Sequence, residues 1–456
     1  MKNPLENFFL HRPQVLQNET ILQEQPSLQN TGMPWGRYDG LMRYFALAGV
    51  LLVMFLRAPS FFLTPRIWAE EGVFYFSNAY HYAHTALWYR GIFYILGGYL
   101  NLWTGMATTA AANLVSVENA PYVTAFFATV AQLIPAAIIL WSSSSFWRQP
   151  IRKVAGILIL LFTPLSGEIW ITTTQSQVFF TLATFLLLLE DTPTTAVRRL
   201  CYRTLLVLGG LTGPGSCILT PMFLIEAYRG KHRERIIQAG LLTACALIQA
   251  VLMYFFSATR VNSGVFSLRA YILAHGTQSV GLVFLGVDKA RQLSDAFLDI
   301  HRQGGFKYTA TVLSCLFVLS LIFLFISRGV PSKERRLLVG TYLLLTLVSF
   351  YGAIGALGDK FSLIYVGAGT RYFFVPNVIF LLLILARIRK PFRFGSIVAT
   401  MLLVLSITLG VVGYKKTLTR EPDWPQWQDE VRAWRENPKH RIAIWPSPGW
   451  CVELRK

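Results

Sequence analysis

Charge is scarce in this 456-residue chain: Asp, Glu, Lys and Arg supply only 14% of it, whereas 54% is hydrophobic. A soluble domain carries roughly a quarter charged residues. That shortage, with a mean hydropathy of +0.46, excludes an ordinary water-soluble fold and points to an all-α polytopic membrane protein. Cysteine is sparse as well. The five present, Cys201, Cys217, Cys245, Cys315 and Cys451, fall mostly in apolar runs or basic loops, so they build no disulfide framework. Only Cys451 is expected outside the cytoplasm. The phosphate loop G-x-x-x-x-G-K-[ST] is missing, for "GLTGPGSC" at 210–217 has the glycines without the lysine, which argues against ATP-driven work. A G-x-S-x-G elbow is absent too. His and Cys residues show no zinc-ligand spacing, and His81 with His84 reads as interfacial polarity. No metal or other cofactor is indicated. No cleavable signal peptide is visible either, so the first apolar run is expected to be a retained signal anchor.

What the chain does have is apolar length and positive charge. Runs near 41–60, 121–141, 154–167, 176–189, 204–213, 216–228, 236–257, 309–327, 337–356, 372–388 and 395–413 give about eleven crossings of roughly 17 to 25 residues, several of them short. The net charge of +19 would suggest nucleic acid in a soluble protein. Here the excess sits in alternate loops: Arg148, Arg152 and Lys153; Arg198, Arg199 and Arg203; Arg229, Lys231, Arg233 and Arg235; Arg328, Lys333, Arg335 and Arg336; Arg387, Arg389, Lys390 and Arg393. By the positive-inside rule these loops are cytoplasmic. The expected organisation is a polar cytoplasmic tail over 1–40, a membrane domain over 41–413, and an outer C-terminal segment over 414–456. Within the membrane domain, 64–120 reads as a long first outer loop with interfacial or re-entrant helices, and 258–308 as a large outer loop. In the tail segment, 422–437 has the spacing of a short amphipathic helix and 441–454 reads as two strands about a Pro–Gly turn.

The polar groups on the outer side carry the candidate chemistry. "PRIWAEEGVFYF" (65–76) sets Glu70 and Glu71 beside Trp68 and among aromatic residues. Adjacent acids in a semi-apolar cleft repel, which raises the pKa of one and suits a general base; helix-dipole complementation at a helix start is the plainer explanation. Neighbours on a helix diverge by about 100°, so one of the two reaches a reacting atom, and the spacing does not say which. "ALGDKFSLIYVGAGTRYFF" (356–374) brings Asp359, Lys360, Arg371 and Tyr372. Arg371 can anchor to headgroups or grip a phosphate bidentately, with Arg57 and Arg90 as further candidates. "PLSGEIWITTTQSQ" (164–177) supplies Glu168, Trp170 and Gln175, suited to a hydroxyl-rich ligand or to a turn in the headgroup layer. "WYRGIFYILGGYLN" (88–101), with Tyr99, fits a sugar- or lipid-contacting surface and equally an aromatic belt.

With its acidic pair soon after the first span, long first outer loop, about eleven crossings and outer C-terminal segment, the chain resembles the GT-C superfamily of membrane glycosyltransferases, and within it a group of bacterial membrane proteins. The stretches that carry the resemblance are "RAPSFFLTPRIWAEEG", the tyrosine–glycine stretch, "TGPGS", "GTRYFFVP" and "IWPSPGW". Where many relatives have at least one Asp in the acidic pair, this chain has two Glu, which argues against a metal ligand and leaves a base open. The resemblance implies an inverting transfer of one hexose or pentose from a polyprenyl-phosphate carrier in the bacterial inner membrane. The acceptor would be an envelope glycan, lipopolysaccharide or a secreted protein such as pilin, on the periplasmic side. The one functional element it carries over is the acidic pair, which puts the base at Glu70 or Glu71; the chemistry of the leaving phosphate then suggests Arg371, helped by Arg57 or Lys360, as its grip. Two rivals share the layout: a surface-polysaccharide polymerase or ligase, and a flippase or transporter of lipid-linked saccharide.

Overall fold

A computed structural model describes residues 39–164, 169–256, 266–357, 360–388, 394–414 and 424–454. The chain divides into two units, Met1–Tyr44 and Phe45–Lys456; of the first, the described residues are the opening turn of helix α1 (Asp39–Arg57). After α1 come the short α2 (Ser60–Leu63), a π-helical turn Glu71–Phe76, α3 (Ser77–Tyr82) and a hairpin of β1 (Ile95–Leu96) with β2 (Tyr99–Leu100). Then follow α4 (Leu102–Leu114), α5 (Ala120–Trp141), α6 (Pro150–Phe162), α7 (Ser176–Leu189), α8 (Ala196–Leu211), α9 (Thr220–Gly230) and α10 (Arg233–Phe256). The second half holds α11 (Leu268–His275), a second π-helical turn Gly276–Gly281, α12 (Leu282–Gln303), α13 (Gly305–Ser327), α14 (Ser332–Leu357), α15 (Arg371–Arg387) and α16 (Phe394–Gly413). A C-terminal piece adds α17 (Trp427–Glu436), β3 (Ile442–Ala443) and β4 (Cys451–Val452).

The protein is an all-α polytopic membrane protein: among the described residues, seven helical stretches are long and apolar enough to cross a membrane, namely Gly40–Arg57, Val117–Trp141, Arg233–Phe256, Leu268–Gln303, Gly305–Ser327, Ser332–Ala353 and Phe394–Gly413. The remaining apolar runs fold into shorter helices. With 11 to 16 residues each, α6, α7, α8 and α9 measure roughly 17 to 24 Å at 1.5 Å per residue, short of the roughly 30 Å hydrocarbon layer. Helices that are apolar all round belong in the interior. Accordingly every residue of α7 from Phe179 to Leu189 and of α15 from Phe373 to Ala386 is buried.

Polar contacts sort the helix ends into two levels. At one end the basic connections meet: Arg152 donates to the carbonyls of Phe146 and Ile388, Arg235 donates to that of Leu187, and Arg203 and Arg336 pair with Glu234 and Glu226. At the far end Asn101 donates to Thr174 O at 3.0 Å, Gly213 N–H to Leu100 O at 2.9 Å, and Arg66 to Trp170 O at 3.1 Å. The alternation read from the charges is thus matched by helices that run from one level to the other.

Residues 258–308, expected as an outer loop, are largely helical where described. Leu268–Gln303 has the length and hydropathy of a span, yet its contacts turn back on themselves. Tyr271 bonds Thr346 and packs on Phe350, and His275 reaches Tyr342, a turn nearer the basic end of α14. The next turn returns: Gln278 donates to the carbonyls of Leu363, Tyr365 and Ala368 in the far-end connection. At Gly286 the helix breaks, with φ 76° and ψ 174°, a conformation open to glycine. Beyond it Lys289, Arg291, Gln292 and Asp295 are exposed while Ala290 and Ser294 are buried, the pattern of an amphipathic helix lying along a surface.

Segment 64–120 holds no helix long and apolar enough to span before the one that starts at Val117. α4 has 13 residues, and its neighbours are the acid-bearing turn, α3 and α5. The C-terminal piece folds as expected, with α17 inside 422–437 and an antiparallel pair in the register Ile442↔Val452 and Ala443↔Cys451. Its buried Trp427, Val431, Trp434, Ile442, Ile444 and Val452 join Ile67, Phe76, Ala79, Ala111 and Ala112 in one hydrophobic cluster.

Candidate functional site

The acidic pair sits where the chain leaves α2 and changes direction. Ala69 adopts φ +29°, and its N–H donates to Trp445 O at 2.5 Å. Glu71 N–H then donates to Trp68 O at 2.8 Å and opens the π-helical turn; such turns are uncommon and recur at functional sites. Gly72 is required by packing, because a Cβ there would lie 2.6 Å from Ile444 Cδ1 and 2.8 Å from Ile67 Cγ2.

The two acids have different surroundings. Glu71 is 1% exposed. Its Oε1 accepts from Thr173 N–H at 2.9 Å and from the Thr173 hydroxyl, and its Oε2 accepts from Trp68 N–H at 3.2 Å. Burial raises its pKa above 4.5, against the pull of these donors and of Arg66. Arg66 is buried in an aromatic cage, its guanidinium 4.2 Å from the rings of Phe61 and Trp68 and 4.8 Å from that of Trp445. Burial lowers its pKa to about 9, with the Glu71 carboxylate opposing the shift. Glu70, by contrast, is half-buried, and its carboxylate makes no hydrogen bond or ion pair among the described residues. It lies near Tyr75, whose hydroxyl is held well above its usual pKa by burial and by the neighbouring Tyr99, Tyr94 and Glu70. Tyr75 and Tyr94 pack edge to face at 5.5 Å.

The cation expected nearby is Arg57. At the end of α1 it is buried, donates from Nε to Tyr414 O at 3.0 Å, and lies 4.4 Å from the Trp170 ring and 4.0 Å from that of Tyr414. Segment 169–175 therefore serves as a shelf for both charges: Trp170 carries Arg57 on its ring and takes Arg66 on its carbonyl, and Thr173 holds Glu71. Two clefts adjoin it. One is lined by Arg57, Thr163, Gly286, Gly410, Gly413 and Tyr414. The other, apolar, runs beneath Trp170 between Val50, Met54, Leu161, Phe179, Leu182 and Phe374. Two buried polar atoms in its lining, Trp170 Nε1 and Gln132 Oε1, have no hydrogen-bond partner among the described residues.

Of the other candidates, Trp68 belongs to the Arg66 cage, Tyr99 stands by Tyr75, and Gln175 is buried at the start of α7. Arg90 is exposed, 5.7 Å from the Tyr82 ring. Arg371 lies over Tyr372 at 5.0 Å and Lys360 near Phe361 at 5.7 Å. Tyr372 and Phe361 pack in a different cluster, with α11 and α13, from the one that holds Trp170 and Trp445. The described contacts join Arg57, Trp68, Trp170 and Glu71, and they do not join Arg371, Lys360 or Arg90 to that group. Glu168 and Asp359 lie outside the described residues. Sequence reasoning gave Arg66 no role and missed Thr173 as the partner of Glu71, Tyr75 as the neighbour of Glu70 and Trp445 as the partner of Ala69. A signal for Thr173 was present, as a run of three threonines in an otherwise apolar stretch. The chain matches no protein-family model, no curated protein and no solved structure.

Proposed function

We propose that this protein is an inverting glycosyltransferase that moves one sugar from a polyprenyl-phosphate carrier to an acceptor hydroxyl. In this reading the basic end faces the cytoplasm of a bacterial cell, as the positive-inside rule requires, and the acidic pair faces the periplasm. Leaving out Leu268–Gln303, which turns back, and counting the short helices α6 to α9 and α15 as crossings restores eleven. Because α7 has 14 residues, roughly 21 Å, its far end and the shelf above it lie below the outer boundary of a roughly 30 Å layer. A lipid-borne phosphate reaches that depth without leaving the membrane.

The donor's two parts have matching surroundings. Val50, Met54 and Arg57 follow one another at i, i+4 and i+7, one face of α1. The first two line the apolar cleft and the third sits over its Trp170 roof. In this reading the isoprenoid tail runs along the former and the phosphate meets the latter. In the reaction Glu70 takes the proton of the acceptor hydroxyl as its oxygen bonds to the anomeric carbon. The bond from that carbon to the phosphate oxygen breaks on the opposite face, and the electron pair leaves on the carrier phosphate. Arg57 meets that charge in a site poor in water, where one good donor contributes about 3 kcal/mol. Glu71 is held for structure.

The observation that carries the proposal is the contrast between the acids: Glu70 is half-buried and makes no hydrogen bond or ion pair among the described residues, next in the chain to a fully bonded Glu71. The test is reconstitution of the purified protein with a monosaccharide-phosphate polyprenol and candidate acceptors, reading the anomeric configuration of the product. Transfer with inversion supports the proposal. Use of a diphosphate-linked oligosaccharide instead, or movement of the lipid without transfer, overturns it.

A further inference from the structure

We infer that Trp445, in the C-terminal segment, is a positioning residue for Glu70. The inference rests on the reading of Glu70 as the base, and it makes residues 424–454 a wall of the acid site. The segment is laid directly on the turn that carries the acids. Trp68 and Trp445 form a parallel bridge, Ala69 N–H donates to Trp445 O at 2.5 Å, and Ile444 and Val452 occupy the space that Gly72 leaves by having no Cβ. The Trp445 ring is held in turn. It packs on Trp424 at 4.7 Å and on Phe61 at 5.9 Å, faces the Arg66 guanidinium, and donates its indole N–H to Pro425 O at 2.9 Å.

What this fixes is an unfavourable backbone. Ala69 has φ +29°, in the region that a residue with a Cβ avoids. The turn at Ala69 sets the direction in which the helical turn bearing both acids leaves, and the step of about 100° between neighbours then sends Glu71 to Thr173 and Glu70 toward Tyr75. Strain of this kind persists where the surroundings over-determine it. Here the surroundings are the Trp445 carbonyl and the ring that anchors it. With the ring gone, Ala69 relaxes and Glu70 leaves its place.

The experiment uses the full chain in lipid nanodiscs with its five cysteines replaced by Ser and Glu70→Cys introduced, reading the alkylation rate by a small maleimide. Trp445→Ala changes that rate by about fivefold or more, as expected of a local opening, whereas Trp445→Phe leaves it close to the starting value. Adding Ala69→Gly to Trp445→Ala restores most of the original rate, because glycine holds this φ without help. A merely structural Trp445 gives no such rescue. Trp445→Leu carries the test if Trp445→Ala does not fold. An unchanged rate in a folded variant, or no rescue by Ala69→Gly, overturns the inference. In chains that keep Glu70, Trp445→Ala lowers kcat and leaves the donor KM in place. Should labelling respond as expected while Glu70→Gln retains full transfer, the functional reading fails and the positioning stands. Should Glu70→Gln abolish transfer while labelling is indifferent to Trp445, the positioning fails alone.

Discussion

Replacing Glu71 by Ala strips acceptors from two buried N–H groups and a hydroxyl, on Thr173 and Trp68, and leaves the Arg66 guanidinium caged among aromatic rings beside an empty space. Each orphaned donor costs about 1–3 kcal/mol, and breaking a buried charge pair from one side about 3–5 kcal/mol. These terms share one carboxylate and do not add, so the expected loss is about 5 kcal/mol, a large part of a total stability of about 5–15 kcal/mol. Glu71→Gln keeps an acceptor for Thr173 and turns an amide N–H where Oε2 accepted from Trp68 N–H, for about 2 kcal/mol. Glu70→Gln breaks no hydrogen bond among the described residues and stays within about 0.5 kcal/mol of the parent. Thermal unfolding in detergent, followed by loss of the monodisperse peak, ranks the three: Glu71→Ala lowest, Glu71→Gln between, Glu70→Gln with the parent. A Glu71→Ala protein as stable as the parent, or a Glu70→Gln protein as weak as Glu71→Gln, refutes the assignment of structural and chemical roles.

Other expectations follow from the same contacts. The folded-state pKa of Glu71 is raised above 4.5, so its share of stability is complete at pH below that value and is lost as pH rises through the raised one; unfolding of parent and Glu71→Gln compared across that interval shows a shrinking gap, and a constant gap contradicts it. Arg57→Lys loses the planar stack between Trp170 and Tyr414 and a bidentate grip on phosphate; polyprenyl-phosphate affinity falls about tenfold in a lipid-binding assay, while equal affinity excludes Arg57 from the phosphate site. Gln278→Leu frees the connection 363–370 from the side chain that takes three of its carbonyls. Limited proteolysis then cuts there sooner than in the parent, and unchanged protection shows that the connection is held elsewhere.

What could be read in advance follows the range of the forces involved. Alternating basic loops and long apolar runs are local in sequence, so the all-α membrane class and the alternation of helix ends were legible, as was the acidic pair in its aromatic setting. The C-terminal helix and strand pair also carried local signals, in the spacing of Trp427 and Trp434 and in the Pro–Gly turn. The partners of the acids were not legible. Thr173 meets Glu71 across 102 positions and Trp445 meets Ala69 across a greater distance still, and no periodicity encodes such pairings. The span count blurred for a related reason. α7 and α15 are apolar because neighbouring helices cover them, which gives the same composition as contact with lipid. Residues 268–303 appeared as an outer loop because Lys289, Arg291 and Asp295 interrupt the apolar run, although Gly286 breaks the helix before them. Arg371 ranked ahead of Arg57 and Lys360 in sequence, and only the packing sets Arg57 with the Trp170 shelf and Tyr372 and Phe361 in another cluster.

The most direct test of the central claim is the single-turnover rate of sugar transfer by Glu70→Gln protein loaded with donor, set beside Glu71→Gln at equal folded concentration. A general base contributes about 10²- to 10⁴-fold, so Glu70→Gln should lose at least about 10²-fold while still binding the polyprenyl phosphate, and Glu71→Gln should lose far less. Full-rate transfer by Glu70→Gln, or a greater loss in Glu71→Gln with its fold intact, contradicts the account.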